Sequence, residues 1–393
     1  MPYLILIFSV IQPVYALIFS INLIIKRNSG YIGAFCVSLA FALLAYTSLP
    51  SPGFDLERHY QHIISLRGYS LETVIYNSSP GYLLFDIYAW FLNLLNLEKE
   101  FFPASIVLIA YFLVLSVFVS VKLKFLQNTN AYYIALIFIS FWLGIGYIGL
   151  VSGIRNPFAN IVMLFLTYNL FVLKKNILFV IGSLIAFFIH PFSMALTAFS
   201  FFAYSFSYFS IRSRVLVFLG LFLILTTKFV SIVIDYISGL LQNLSFYSGA
   251  YFDASSDVGG GAFDVRSNSG IIMHLIIPRI PVVIAQLYLL TIKPERKDPY
   301  YLLLAVISLY LGIFISYDSL YTRMASFFIY NFAVYIAIQQ VNRGRKVDKY
   351  FLIIYIVSLI LYSVTTAFLR YPEFIASSFP SAISKPLLLI LFL

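Results

Sequence analysis

The sequence predicts an all-α chain, a polytopic helical membrane protein with about 12 transmembrane helices and one further re-entrant or interfacial helix. Three observations carry this. Of 393 residues, 62% are hydrophobic and only 10% charged, with a mean hydropathy of +0.95. Apolar runs near the roughly 20 residues that a helix needs to cross a bilayer recur from end to end. Basic residues stand in pairs between those runs, the arrangement by which membrane proteins set their orientation. No soluble fold has this balance, and residues 1–393 read as a single integral membrane domain.

The first run, Tyr3 to Ile25, has neither a basic start nor a small-residue cleavage site, so it reads as a retained span. Lys26 and Arg27 close it. Tyr31 to Pro50 crosses next, and the polar stretch 51–80 forms a first outer loop. Tyr82 to Leu97 is short, contains Asp86, Asn93 and Asn96, and ends in Glu98-Lys99-Glu100. It reads as the re-entrant or interfacial helix. Phe102 to Val121 then crosses to Lys122 and Lys124. A full crossing at 82–97 is the alternative, and it would place most of the later basic pairs outside.

The run Ala131 to Leu173 is too long for one crossing and must fold back. Gly153 and Pro157 make Arg155 the turn. By the same reasoning the stretch between Lys175 and Arg212 holds two crossings, and His190-Pro191 is its punctuation. Spans near 215–237, 271–292, 300–317, 321–340 and 350–369 follow, while Lys385-Pro386 splits the tail. This scheme puts Lys174 and Lys175, Arg212 and Arg214, Lys293, Arg296 and Lys297, and Arg343, Arg345, Lys346 and Lys349 in the cytoplasm. Asp55, Arg155, His190, Arg323 and a second long loop, 242–270, fall outside. No internal repeat is visible.

Net charge +10 invites a nucleic-acid reading, but basic pairs spread between spans are an orientation signal and not a binding stripe, so no nucleic-acid partner is expected. A single cysteine, Cys36, excludes an intramolecular disulfide and a cysteine-based metal cluster.

Ionisable side chains at membrane depth are costly and default to function. Arg155, Arg279 between Pro278 and Pro281, and Arg323 in Tyr321-Thr322-Arg323-Met324-Ala325 stand out, because few acids accompany them. Guanidinium forks match phosphate oxygens and stay charged, so these arginines suggest an anionic ligand such as a lipid-linked phosphate or diphosphate. The plainer alternative is that each snorkels to headgroups. His190 precedes Pro191, and the positive end of the helix that follows would leave a neutral imidazole, either a base or a structural group. The first loop crowds Asp55, Glu57, Arg58, His59, Tyr60 and His62 into two helical turns. No zinc-type spacing accompanies His190, whereas His59 and His62, three apart, could chelate a metal or simply be solvated. The second loop carries Tyr247, Tyr251, Asp253, Asp257, Gly259-Gly260-Gly261, Asp264 and Arg266, and reads as a lid.

Taken together, Gly153-Ile154-Arg155-Asn156-Pro157-Phe158-Ala159, then Phe187-Phe188-Ile189-His190-Pro191-Phe192-Ser193, then Tyr321 to Ala325 resemble the succession in the EpsG-like and Wzy-type polysaccharide polymerases of bacteria. The cluster Asp55 to Tyr60 ahead of Ser79-Pro80-Gly81-Tyr82 is similar too. Asn156 departs from the pattern, which has glutamine after the arginine. The resemblance implies a metal-independent, cofactor-free glycosyltransferase of the multispanning GT-C type in the bacterial cytoplasmic membrane, with its active site facing outward. Such an enzyme joins oligosaccharide repeats carried on undecaprenyl diphosphate into a surface polysaccharide: O antigen, capsule or exopolysaccharide. Its surroundings are membrane lipid, and a chain-length regulator is a further partner. In this reading His190 is the base, with Asp55 or Glu57 as the alternative. Arg155, Arg279 and Arg323 neutralise the departing diphosphate, and Arg58, Tyr60, Tyr251 and Arg266 contact diphosphate or sugar. The competing class is a flippase or exporter of lipid-linked oligosaccharide, which should show repeat symmetry and midplane ionisable groups. This chain shows neither clearly.

Overall fold

The computed structural model describes residues 3, 5, 12–26, 30–209, 276–292, 298–314, 318–342 and 347–370, and no β-strand occurs among them. The expected span 215–237, the loop 242–270 with Tyr251 and Arg266, and the tail after residue 370 lie outside the described residues. Two apolar helices, α1 (Pro13–Lys26) and α2 (Gly30–Tyr46), open the bundle. The first outer loop folds into α3 (Asp55–Ser65) and α4 (Leu71–Asn77), the latter capped where the Ser70 hydroxyl accepts the Thr73 N–H. A 3₁₀ turn, Pro80–Tyr82, leads into α5 (Leu83–Leu94). Its twelve residues rise about 18 Å, against a hydrocarbon core of about 30 Å.

Helix α6 (Phe101–Phe125) is long enough to cross. The next span breaks in two, α7 (Ala131–Gly144) and α8 (Tyr147–Ser152), because Gly146 sits at φ +60°, a left-handed conformation that a side chain resists. Helix α9 (Arg155–Phe171) begins at the expected turn, with Pro157 in its first turn, where a missing N–H costs nothing. Then come α10 (Asn176–Ile189) and α11 (Ser193–Phe206), hinged at His190, whose extended backbone ends α10. The 3₁₀ turn Ile277–Arg279 leads into α12 (Ile280–Thr291), followed by α13 (Pro299–Ile313), α14 (Asp318–Asn342) and α15 (Lys349–Arg370). By length and composition Phe101–Phe125, Ala131–Ser152 and Lys349–Ala367 can cross a membrane, and α2, α5 and α10 to α13 are shorter apolar helices.

The packing is that of a membrane protein. Ile177, Val180, Ile181 and Leu184 form one exposed stripe on α10, and Ile353, Val357, Ile360 and Val364 form another on α15. Apolar faces this bare mark surfaces that meet lipid or another protein. With lipid outside as apolar as the core, helices associate through small residues, buried hydrogen bonds and close packing. Gly33 is such a point: a Cβ there would stand 2.6 Å from the Ser20 carbonyl oxygen of α1. The centre is α14, with Phe327, Phe328, Phe332 and Tyr335 fully buried, and buried Asn160 of α9 donates to the Arg323 carbonyl at 2.9 Å.

Four lysines gather at one end of the described bundle. The Lys122 ammonium donates to the Ile24 carbonyl near the end of α1 (2.7 Å), and that of Lys124 to the Val172 carbonyl at the end of α9 (3.0 Å). These contacts bring the ends of α1, α6 and α9 together beside Lys174 and Lys175. From Lys122 back to Phe102, α6 rises about 30 Å, a full hydrocarbon thickness. Phe102, Arg155 and the first-loop helices therefore stand at the opposite end.

That separation is testable. In a Cys36→Ser background, Tyr76→Cys on exposed α4 should be labelled by an impermeant thiol reagent in intact cells. Asn176→Cys, beside Lys175, should be labelled only after permeabilisation. The reverse pattern would turn the molecule over in the membrane.

Candidate functional site

Helix α3 presents two faces. Leu56, Tyr60 and Ile63 point into the core at helical spacing, while Asp55, Arg58, His59 and His62 fall on a second stripe. That second stripe forms one wall of a cavity of about 430 Å³. Ser79, Tyr82, Phe85 and Asp86 form another wall, and Phe102 and Arg155 close it. Its volume lies within the roughly 300–1,000 Å³ typical of small-molecule sites.

The turn Ser79 to Tyr82 is what joins the cavity to the bundle. Gly81 lies on the ring of Pro191, and any Cβ at that position would overlap it. This close seat brings Tyr82 between the two hairpin tips. The Arg155 guanidinium lies 4.0 Å from the centre of the Tyr82 ring, and the His190 ring meets the same tyrosine edge-on with centroids 6.3 Å apart. A cation over an aromatic face is worth about 0.5–2 kcal/mol, so Tyr82 orients the arginine without neutralising it.

The cavity's carboxylates are occupied. Asp55 pairs with Arg58 at 2.7 Å, and Asp86 holds Nε2 of His62 at 2.8 Å. Arg155 has no carboxylate partner, and its guanidinium N–H groups make no hydrogen bond to protein among the described residues. It is a cation lining a cavity with its fork unspent.

His190 is 6% exposed and sits behind Tyr82, away from the cavity wall. Its Nδ1 accepts the Phe192 N–H at 3.2 Å, which leaves the proton of a neutral ring on Nε2. Burial, then the charges of Arg323 and Arg155, hold this imidazole well below its ordinary pKa. His59, half-buried in the cavity wall, is lowered to about 3 by burial and by Arg155, His62 and Arg58, against an opposing pull from Asp86. Both rings are neutral at pH 7.

Of the remaining residues picked out from the sequence, Arg323 lies close enough to act on His190, and Arg279 stacks 4.6 Å from the ring of Tyr321 beside it. Glu57 faces away from the cavity and accepts from Gln61 at 2.6 Å. Tyr60 is in the core at 1% exposure, with the Lys99 ammonium 5.0 Å from its ring. Asp86 is the residue that sequence reasoning passed over as a site group. The signal was an acid in the first turn of a short apolar helix, where its charge suits the helix dipole and needs no other explanation. Among the described residues no three metal-ligating side chains are grouped to hold an ion.

The depressed pKa of His59 has a consequence for stability. The unfolded imidazole titrates near 6.5, the folded one near 3, and between them the unfolded chain binds more protons. The folded protein is therefore fully stable above about pH 6.5 and loses stability toward pH 3, by at most about 1.4 kcal/mol per pH unit. His59→Gln removes the titration. Melts in detergent between pH 7 and pH 5 should show the wild type falling relative to this variant, and parallel curves would show an imidazole in free contact with solvent.

No curated protein and no solved structure matches the chain. A family model spanning residues 31–377, which takes in both walls of the cavity and every helix described after α1, does match, and the chain belongs to the EpsG family.

Proposed function

We propose that the protein is a polymerase that joins undecaprenyl-diphosphate-linked oligosaccharide repeats into a surface polysaccharide at the outer face of the bacterial cytoplasmic membrane. Membership of the EpsG family makes it a membrane protein of polysaccharide biosynthesis. The finer assignment adds a GT-C-like arrangement of about 12 spans in one domain, with outer loops 51–80 and 242–270.

One observation carries the chemistry. Arg155 lines the cavity with its guanidinium oriented by Tyr82 and free of carboxylates and protein hydrogen bonds among the described residues. Such a fork accepts two oxygens of a phosphate side by side. A hydroxyl on one repeat attacks the anomeric carbon of another, the bond to the diphosphate breaks, and the leaving oxygen's charge builds up against Arg155. Arg323 acts on His190 as Arg155 does and adds to the positive potential there, while Arg279 stacks on Tyr321. The cavity's end of the bundle, opposite Lys122 and Lys124 of α6 and the Lys174-Lys175 pair after α9, supports the outward orientation.

Arg155→Lys tests the claim, because lysine keeps charge and stem but loses the fork. Loss of one such charge-assisted contact to the leaving group costs about 2–4 kcal/mol, or roughly 30-fold to 1,000-fold in rate. Cells carrying the variant should make little polymer and accumulate single lipid-linked repeats on the outer leaflet. Normal polymer would reduce Arg155 to a snorkelling cation. Repeats trapped on the inner leaflet would point to a flippase or exporter.

A further inference from the structure

We infer that His62, oriented by Asp86, is the base that takes the proton from the attacking sugar hydroxyl. This rests on the polymerase reading above and supplies the group it leaves unassigned.

Asp86 Oδ1 lies 2.8 Å from His62 Nε2, and a carboxylate there holds the ring proton on that nitrogen. The lone pair is then on Nδ1, which accepts no hydrogen bond from protein among the described residues. His62 and Asp86 come from α3 and α5, and both line the cavity that Arg155 closes. Base, orienting carboxylate and leaving-group cation therefore share one space of about 430 Å³.

The other candidates lack this arrangement. His190 has the opposite tautomer, since its Nδ1 is occupied by the Phe192 N–H, and it lies behind Tyr82. Its Nε2–H is a donor. Asp55 is engaged by Arg58, Glu57 is turned away, and His59 has no carboxylate to orient it. His59 is also too weak a base, because the cations around it disfavour its protonated form.

The step balances. The hydroxyl proton moves to Nδ1 of His62 as its oxygen bonds to the anomeric carbon. The carbon–oxygen bond to the diphosphate breaks, and its electron pair leaves on the diphosphate oxygen facing Arg155. The imidazolium formed is stabilised by the Asp86 carboxylate, and its proton is lost to water as product leaves. His62 is half exposed, which allows that exchange; Asp86 is mostly covered and acts through His62 as a positioning residue.

The test uses the full-length chain purified into lipid vesicles, with lipid-linked single repeats as substrate and polymer formed per unit time as readout. His62→Gln should lower kcat by about 10²-fold to 10⁴-fold while KM for the repeat stays near the wild-type value. Asp86→Asn should lower kcat at least about 10-fold with KM again unchanged, and Asp86→Glu, which restores a carboxylate, should recover part of it. Wild-type kcat in His62→Gln would overturn the inference and leave the polymerase reading intact. A lowered melting temperature with kcat preserved would make the pair a pin between α3 and α5, and would overturn it too. If His62→Gln does not fold, the two Asp86 variants decide the matter by the same criterion. No polymer from the wild-type chain would instead overturn the polymerase reading.

Discussion

The site depends on one seat: the Gly81-Tyr82 turn resting on His190-Pro191. Glycine is required there because any side chain would strike the Pro191 ring, and the contact joins the first-loop helices to the α10–α11 hairpin. With the turn in place, Tyr82 meets Arg155 on its face and His190 at its edge. Without it, Arg155 would lack its orienting ring, and α5 would not hold Asp86 against the His62 stripe of α3. A proline stiff in both backbone and ring is a suitable anvil, since it cannot yield by changing rotamer.

Helix α10 is shorter than α6: Lys175 to His190 is 15 residues, a rise of about 22 Å, whereas Lys122 to Phe102 rises about 30 Å. The cavity beside that hinge holds a cation oriented by Tyr82, which suits a ligand with an anionic head. His62 in its wall is half exposed, so the cavity is open to water.

Much of this was legible in the sequence. The turn at Arg155, the hinge at His190 and the shortness of the segment after Tyr82 all followed from proline, glycine and the arithmetic of crossing a bilayer. So did the separation of Lys122 and Lys124 from the arginine site, because they stand one helix length from Phe102. The roles within the first loop were less legible. Composition alone placed Tyr60 and Glu57 with the site, whereas helical periodicity turns Tyr60 into the core and selects 55, 58, 59 and 62 for the cavity. Asp86 could not be assigned, because its partnership with His62 spans 24 positions and exists only once α3 and α5 are folded against each other. Nor could the tautomer of His190, which is set by a backbone N–H two residues on.

The central claim is that this cavity opens outward and holds a diphosphate against Arg155, and it can be read with one cysteine. In a Cys36→Ser background, Ser79→Cys lies in the cavity wall. It should react with an impermeant thiol reagent from outside, undecaprenyl diphosphate should protect it, and adding Arg155→Gln should abolish the protection. Labelling only from the cytoplasmic side, or labelling from outside that undecaprenyl diphosphate leaves unchanged, would contradict the account.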